Sequence, residues 1–588
     1  MKLINTLNTY IHIVAVAALG IGLTSCEDFL NRPAEDNYNA GNFYQNDEQC
    51  YQGVNYLYNS PWYDFQRGFI KVGEVLSGNM YWGSSPYLTF TINGTDEDLV
   101  NMSSSLWAAI GHANTVYKYI GESSGPSEEV KNYTRGECLT WKAMAYFYLV
   151  RTFGDVPIIH DNSAEIAAGT YSSKFKVQRA DVYEYIIMTL EKALELLPKS
   201  AAKGRIDYYC AEALLSKVYL TRSGLGMSGS RNQSDLDMAA KFAKDVIDNS
   251  GRKLLPVYSD VFRLQNNESE ESLIAWRWSA GRDPWTQQNT LQSDLAPVGF
   301  DEFGDCWGGY GGPSVDLQDA FGIDVINTNP ANRIDTDTRR KAVMMLPGDH
   351  YEYFWTNKGG FDPLRFSYDT ENYGKGGPGE WQSPTGAYNV KHLYGNNADH
   401  EAATGVSAGN MFNQLATHIL RLSDVYLIYA EAMVGNNGST SNADALAAFN
   451  AVRGRAIPGT TPYTSITFDD VWKERRLEFA GEGDRWYDYV RLAYFDTPRA
   501  INELVSQRRN SYWNLNALFK YYYENGVWDI SKAAESGDSG EAGYDTTTKA
   551  PNVTASSFTL PFPTTDIALN KNLLADPIHE DVRELYAY

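Results

Sequence analysis

Asp469-Asp470-Val471-Trp472-Lys473-Glu474-Arg475-Arg476-Leu477-Glu478-Phe479-Ala480-Gly481-Glu482-Gly483-Asp484-Arg485-Trp486-Tyr487-Asp488-Tyr489-Val490-Arg491 is the stretch that decides the fold. Asp469 and Asp470 stand where a helix favours acidic side chains, and Val471, Arg475 and Phe479 recur on one helical face. Gly481 and Gly483 can take positive φ and end that helix. Asp484 is placed to cap a second helix, which turns Trp486, Tyr487 and Val490 inward. Glu474, Arg475, Arg476, Glu478 and Arg485 are interleaved with large aromatics, so some of these charges must be buried. A buried charge is tolerated only when paired, which predicts a network of Arg–carboxylate forks with a structural role.

Outward from this hairpin the same pattern repeats. Ser104 to Gly121 and Glu128 to Phe153 form one predicted pair of helices, and Arg179 to Leu197 with Tyr208 to Arg222 a second. A helix from Leu236 to Asn249 follows the second pair. Ile419 to Val434 with Asn442 to Arg453 form a third pair, and the opening stretch is the fourth. The Glu128–Phe153 helix has two apolar stripes, as a helix sandwiched between neighbours requires. Repeated hairpins rich in Ala and Tyr predict a mainly α scaffold of tetratricopeptide-like stacking, over about residues 44–254 and 417–495, without a strict repeat length. Between residues 255 and 416 the helical period fades while Gly, Pro and Asn rise, and six of the fourteen Trp fall there. That stretch and residues 512–588 read as an irregular, loop-rich lobe, and long irregular loops on a rigid scaffold usually carry function.

The 588 residues carry a net charge of −23, which opposes binding to nucleic acid or to an anionic membrane surface. Near the N-terminus an apolar run, Ile11 to Leu23, is too short to span a bilayer and fits a signal peptide over residues 1–25. Leu23-Thr24-Ser25-Cys26 is the bacterial lipoprotein pattern, so Cys26 is the expected lipidation site and the mature chain starts there, outside the cytoplasm. Cys50, Cys138, Cys210 and Cys306 have no zinc spacing; they are compatible with one or two disulfides or with buried thiols. No metal site and no cofactor are expected. Gly405-Val406-Ser407-Ala408-Gly409 matches a nucleophile elbow but lacks the preceding strand, and Asp335-Thr336-Asp337 lacks the glycine and distal glutamate of a calcium loop.

What remains is a set of aromatic rings on polar, Gly-rich loops. The apolar C–H face of a sugar stacks on Trp or Tyr while polar side chains bind its hydroxyls. Trp82, Trp307 and Tyr310 are the stacking candidates, with Cys306 in the same loop; Asp64, Arg365 and Tyr394 are candidates to complete a site. Trp276 and Trp278 alternate around Arg277 in a strand-like pattern that favours the core.

Four stretches resemble the SusD/RagB family of Bacteroidota outer-membrane lipoproteins. They are Cys26-Glu27-Asp28-Phe29-Leu30 with Pro33, the run Tyr148 to Pro157, the run Leu420 to Ala432, and Glu474 to Asp488. The resemblance covers nearly the whole chain. It implies four tetratricopeptide-like units with a ligand-binding lobe, and a surface lipoprotein without enzymatic activity. It further implies that the protein caps a SusC-like TonB-dependent transporter and delivers oligo- or polysaccharide to it. By position only, the loop of Trp82 and the Cys306–Tyr310 loop lie where members contact sugar. The alternatives are a surface glycoside hydrolase and a peptide-capturing relative in the same transporter role. Among glycans a neutral polysaccharide is favoured, fructan being one candidate, because acidic loops repel uronates.

Overall fold

In the computed structural model of the chain, residues 43–281, 285–301, 303–532, 541–547 and 551–588 are described. The signal peptide, Cys26 and the Cys26–Leu30 motif with Pro33 lie outside the described residues. The helices used below are α1 (Asp47–Asn55), α2 (Gln66–Ile70), α3 (Glu97–Glu122), α4 (Glu128–Phe153), α5 (Arg179–Leu196), α6 (Tyr208–Arg222), α7 (Gln233–Asn249), α8 (Leu291–Leu295), α9 (Leu422–Val434), α10 (Ala443–Ala456), α11 (Phe468–Phe479) and α12 (Arg485–Val505). The strands are β1 (Met80–Trp82), β2 (Ser272–Trp276), β3 (Gly311–Pro313) and β4 (Thr417–Arg421).

The long helices stack in sequence order. α3 packs on α4, α4 on α5, α5 on α6, α6 on α7, α7 on α9, and α9 on both α10 and α11. α4 is the centre of this stack, and every residue from Gly136 to Phe153 is buried. Several helix limits depart from the sequence reading: residues 419–421 belong to β4, so α9 starts at Leu422, and α7 starts at Gln233, three residues before Leu236. α3 starts about two turns earlier than Ser104 because the Asp96 side chain accepts the Leu99 N–H (3.1 Å), with Glu97 and Asp98 in the first turn. Leu515–Asn525, inside the stretch read as irregular, is an 11-residue helix that ends on Gly526 in the left-handed region. Within residues 255–416 the longest described helix is Asn397–Thr404, and β2 pairs antiparallel with β4. Trp276 and Trp278 are core residues, Trp276 stacking on Trp62 with ring centroids 5.4 Å apart.

The α11–α12 hairpin has the expected form. A capping box joins Thr467 and Asp470, and Gly481 (φ 84°) and Gly483 (φ 73°) make the turn. Glu478 accepts from Arg455 (2.5 Å), Arg421 (3.2 Å) and Arg339 (3.2 Å); Arg475 donates to Asp424 (2.6 Å) and Asp488 (3.2 Å); Arg491 donates to Glu431 (2.5 Å) and Asp488 (2.9 Å). Burial would raise Glu478, but Arg455, Arg421 and Arg339 override it and hold the carboxyl down at about 2. Two members behave differently from the sequence reading. Asp484 makes no cap bond with its side chain; its carboxylate goes to Lys217 (2.6 Å) and Arg151 (3.1 Å), which ties the hairpin to α6 and α4. Arg485 has its nearest carboxylate, Asp488, at 3.5 Å and instead stacks over Trp472 at 3.9 Å.

Cys50, Cys138, Cys210 and Cys306 are free and buried, so of the two readings of the cysteines the structure has the thiols. Asp335 and Asp337 serve Arg340 and Arg339 as ion-pair partners. Ser407 follows a helix rather than a strand and donates to Asn397 (2.9 Å).

Candidate ligand-binding site

The site begins at α2. Phe65 and Phe69 anchor this segment in the core, while Arg67 and Lys71, four residues apart, project from another side of it. The helix then widens into a single π turn, Lys71–Val75, a form often found at functional sites. Within the turn Glu74 is fully buried and accepts the Gly483 N–H (2.7 Å) and the Asn79 side-chain amide (3.0 Å). Burial pushes its carboxyl up, and these bonds work against that rise. The segment is thereby fixed to the α11–α12 turn just before it enters β1.

β1 pairs antiparallel with β3, placing Trp82 opposite Gly311. A Cβ at Gly311 would lie 3.5 Å from the Trp82 ring, so glycine leaves that part of the indole uncovered. Trp82, Trp307 and Tyr310 line one cavity of about 440 Å³, together with Lys71, Ser84 and Ser85. That volume suits a small oligomeric ligand. Trp307 is 42% and Tyr310 59% exposed, far above the burial of a core aromatic. Lys71 pairs with Asp98 and holds its ammonium 5.6 Å from the centroid of the Trp82 ring. Among the described residues no carboxylate lines this cavity.

The aromatic surface does not stop there. Trp285 is 54% exposed and donates its indole N–H to the Tyr63 hydroxyl (2.8 Å). Burial raises the Tyr63 hydroxyl while the Trp285 bond opposes the rise, and the fields of Asp64, Asp294 and Arg67 all reach it. Arg67 in turn lies 3.4 Å from Asp294, whose carboxylate accepts the Trp307 indole N–H (2.9 Å). Trp285 and Tyr63 thus form one bonded pair, Arg67 and Trp307 share the Asp294 carboxylate as a second group, and the charges of Arg67 and Asp294 act on the Tyr63 hydroxyl between them.

The structure brings Trp82, Trp307 and Tyr310 together and sets Asp64 beside Tyr63 on the Trp285 side, where partial burial raises its carboxyl. The other three candidates lie elsewhere. Cys306 is buried, its thiol donating to Asp301 (3.0 Å), so only its loop neighbours reach the cavity. Arg365 sits on the helix Pro363–Tyr368, bonded to Asp369 (3.2 Å) and stacked over Tyr373 at 4.4 Å. Tyr394 is buried beside a separate small cavity with Arg263, Phe354 and Asp399. Tyr63, Arg67 and Lys71 are absent from the sequence reading, and Trp285 entered it only as one of the six tryptophans of the irregular lobe, not as a site candidate. The signal for Trp285 was present: Asp283-Pro284 before it and Thr286-Gln287 after it give the polar setting that singled out Trp82.

Known proteins resemble this chain in sequence and in fold. The profile described as "SusD family" matches residues 280–579, and one described as "Starch-binding associating with outer membrane" matches residues 49–220. A SusD-like protein of Bacteroides ovatus is 31% identical over 577 residues, covering 96% of this chain and 97% of the relative. A crystal structure with xylogluco-oligosaccharide is 28% identical, with a TM-score of 0.74 over 92% of this chain and 99% of that one. Surface glycan-binding protein A of Bacteroides thetaiotaomicron, in complex with laminarihexaose, shares the fold at 17% identity, with a TM-score of 0.63 over 90% of this chain and 99% of that one. On the 31% identity across almost its whole length, the chain belongs to the SusD family.

Proposed function

We propose that the protein is a non-enzymatic, cell-surface glycan-binding lipoprotein that captures a neutral oligo- or polysaccharide on Trp82, Trp307, Tyr310 and Trp285. It then passes that glycan to a SusC-like TonB-dependent transporter in the outer membrane. The observation that carries this reading is the clustering of exposed aromatic rings around one cavity without a carboxylate among its described lining residues. Aromatic faces bind the C–H faces of sugars, whereas glycoside hydrolysis needs two carboxyl groups flanking the bond. A relative of this fold at 28% identity has been crystallised with xylogluco-oligosaccharide, so a xyloglucan-type chain is the first ligand to test. The lipidated Cys26 is the proposed anchor to the outer membrane.

The test is isothermal titration of the mature protein with a panel of xylogluco-oligosaccharide, laminarihexaose, fructan and a uronate polymer, with the products analysed by chromatography. Binding of a neutral glycan without new products is expected. Trp82→Ala and Trp307→Ala should each weaken it at least about tenfold with the melting temperature unchanged within about 2 °C. Release of shortened sugars, or full affinity in both variants, would overturn the reading.

A further inference from the structure

The two exposed indoles beside the cavity both turn their N–H groups inward. For Trp285 the acceptor is a neutral hydroxyl, Tyr63; for Trp307 it is the carboxylate of Asp294. Asp294 is held through one of its two oxygens, Oδ2 being buried without a hydrogen-bond partner among the described residues. It lies on α8, is 2% exposed, and its oxygen Oδ1 faces both the Trp307 N–H and the Arg67 guanidinium. The same short helix holds the Trp307 backbone: Ser293 and Ala296 carbonyls accept from Trp307 N (3.0 Å) and Gly308 N (2.9 Å). Gly308 lies so close to the Asp294 carbonyl that a Cβ would sit 2.1 Å from it. Backbone and side chain of Trp307 are therefore tied to the same turn from two directions.

We propose that Asp294 is the positioning residue of the glycan surface: its carboxylate holds the Trp307 indole N–H, fixing which ring face meets the ligand and enriching that face in electrons. The inference rests on the aromatic cavity being the glycan site. A hydrogen bond to an ionised acceptor is roughly twice as strong as a neutral one, so the ring is held tightly while exposed. Donation towards a negative oxygen also pushes electron density into the indole, and the negative ring face is what attracts the partly positive C–H groups of a sugar. Burial raises the Asp294 carboxyl above its ordinary value, and the Arg67 charge, followed by the Trp307 bond, works against that rise. A consequence is that Trp307 has no N–H to offer the ligand. Hydroxyl recognition must come from other lining groups such as Ser84, Ser85 and Lys71.

The experiment uses the full mature chain and combines Asp294→Asn, Asp294→Leu and Trp307→Phe singly and in pairs. Phenylalanine keeps an aromatic face but has no N–H. Affinity for xylogluco-oligosaccharide should fall about tenfold in Asp294→Leu and less in Asp294→Asn, which keeps an acceptor without charge. In the Trp307→Phe background Asp294→Leu should have no further effect, because the partner it acts through is gone. Without ligand, Asp294→Leu should shift the tryptophan emission spectrum, and that shift should vanish in the Trp307→Phe background. Wild-type affinity and emission in Asp294→Leu, or losses that persist unchanged with Trp307→Phe, would overturn the inference. If Trp307→Ala itself binds normally, the glycan-site reading fails; the ligand-free emission arm still decides whether Asp294 holds the ring.

Discussion

Replacing Glu478 by Gln removes one charge from the interior while keeping the side-chain shape. In the native chain the Glu478 carboxylate faces guanidinium groups of Arg455 at 2.5 Å and of Arg421 and Arg339 at 3.2 Å, all three arginines being almost wholly buried. Its carboxyl falls from 4.5 to about 2 because these cations outweigh the burial that would raise it. A drop of that size corresponds to about 3 kcal/mol of stabilisation at neutral pH. The folded value is depressed, so this contribution is complete above about pH 5 and disappears as the pH falls from 4.5 towards 2. Urea unfolding of the wild type and Glu478→Gln at a series of pH values measures the difference directly. The gap should be about 3 kcal/mol at pH 7, shrink between pH 4.5 and 2, and be flat on either side. A pH-independent gap would refute the linkage, and one below about 1 kcal/mol at pH 7 would refute the claim that the pairs are energetically coupled to the fold.

Gly483→Ala should lower stability by at least about 2 kcal/mol, because φ is 73° and the new Cβ would lie 2.3 Å from the Phe69 ring; thermal unfolding checks it. Gly308→Ala should lower stability by at least about 2 kcal/mol and weaken glycan binding about as much as Trp307→Ala, since the added Cβ would lie 2.1 Å from the Asp294 carbonyl oxygen and forces the loop off α8; thermal unfolding and titration check the two effects. Cys50, Cys138, Cys210 and Cys306 should resist a disulfide reagent in the native state and react after unfolding. Burial, reinforced by Asp47, pushes the Cys50 thiol up to about 11, so thiolate is scarce at neutral pH.

The helical stack was readable because the apolar positions of α4 and the glycine-marked turn of the α11–α12 hairpin are local patterns. Helix Leu515–Asn525 was not, because Tyr521-Tyr522-Tyr523 reads equally as strand or loop in isolation. Trp82, Trp307 and Tyr310 were legible as rings in polar surroundings, the chemical mark of exposure. Arg67 and Asp294 were not, because 227 positions separate them and only the packing of α2 beside α8 makes them partners. Asp484 shows the limit of local rules: it occupies the expected N-cap position, yet Lys217 and Arg151 outcompete the backbone for its carboxylate. Arg365 and Tyr394 looked like loop residues free for a ligand, and each already has a partner within the fold.

The bond from Gly483 to Glu74 has a kinetic consequence. It joins the ion-paired α11–α12 turn to the segment that carries Arg67, Lys71 and Trp82, and Trp82, Trp307 and Tyr310 already share one cavity. A long polymer can therefore be gripped by whichever stretch collides with the rings, at a rate set by diffusion and orientation and not by closure of a lid. The proposed capture and hand-over of a polymer would draw on fast attachment of this kind, with detachment graded by how many rings are engaged at once.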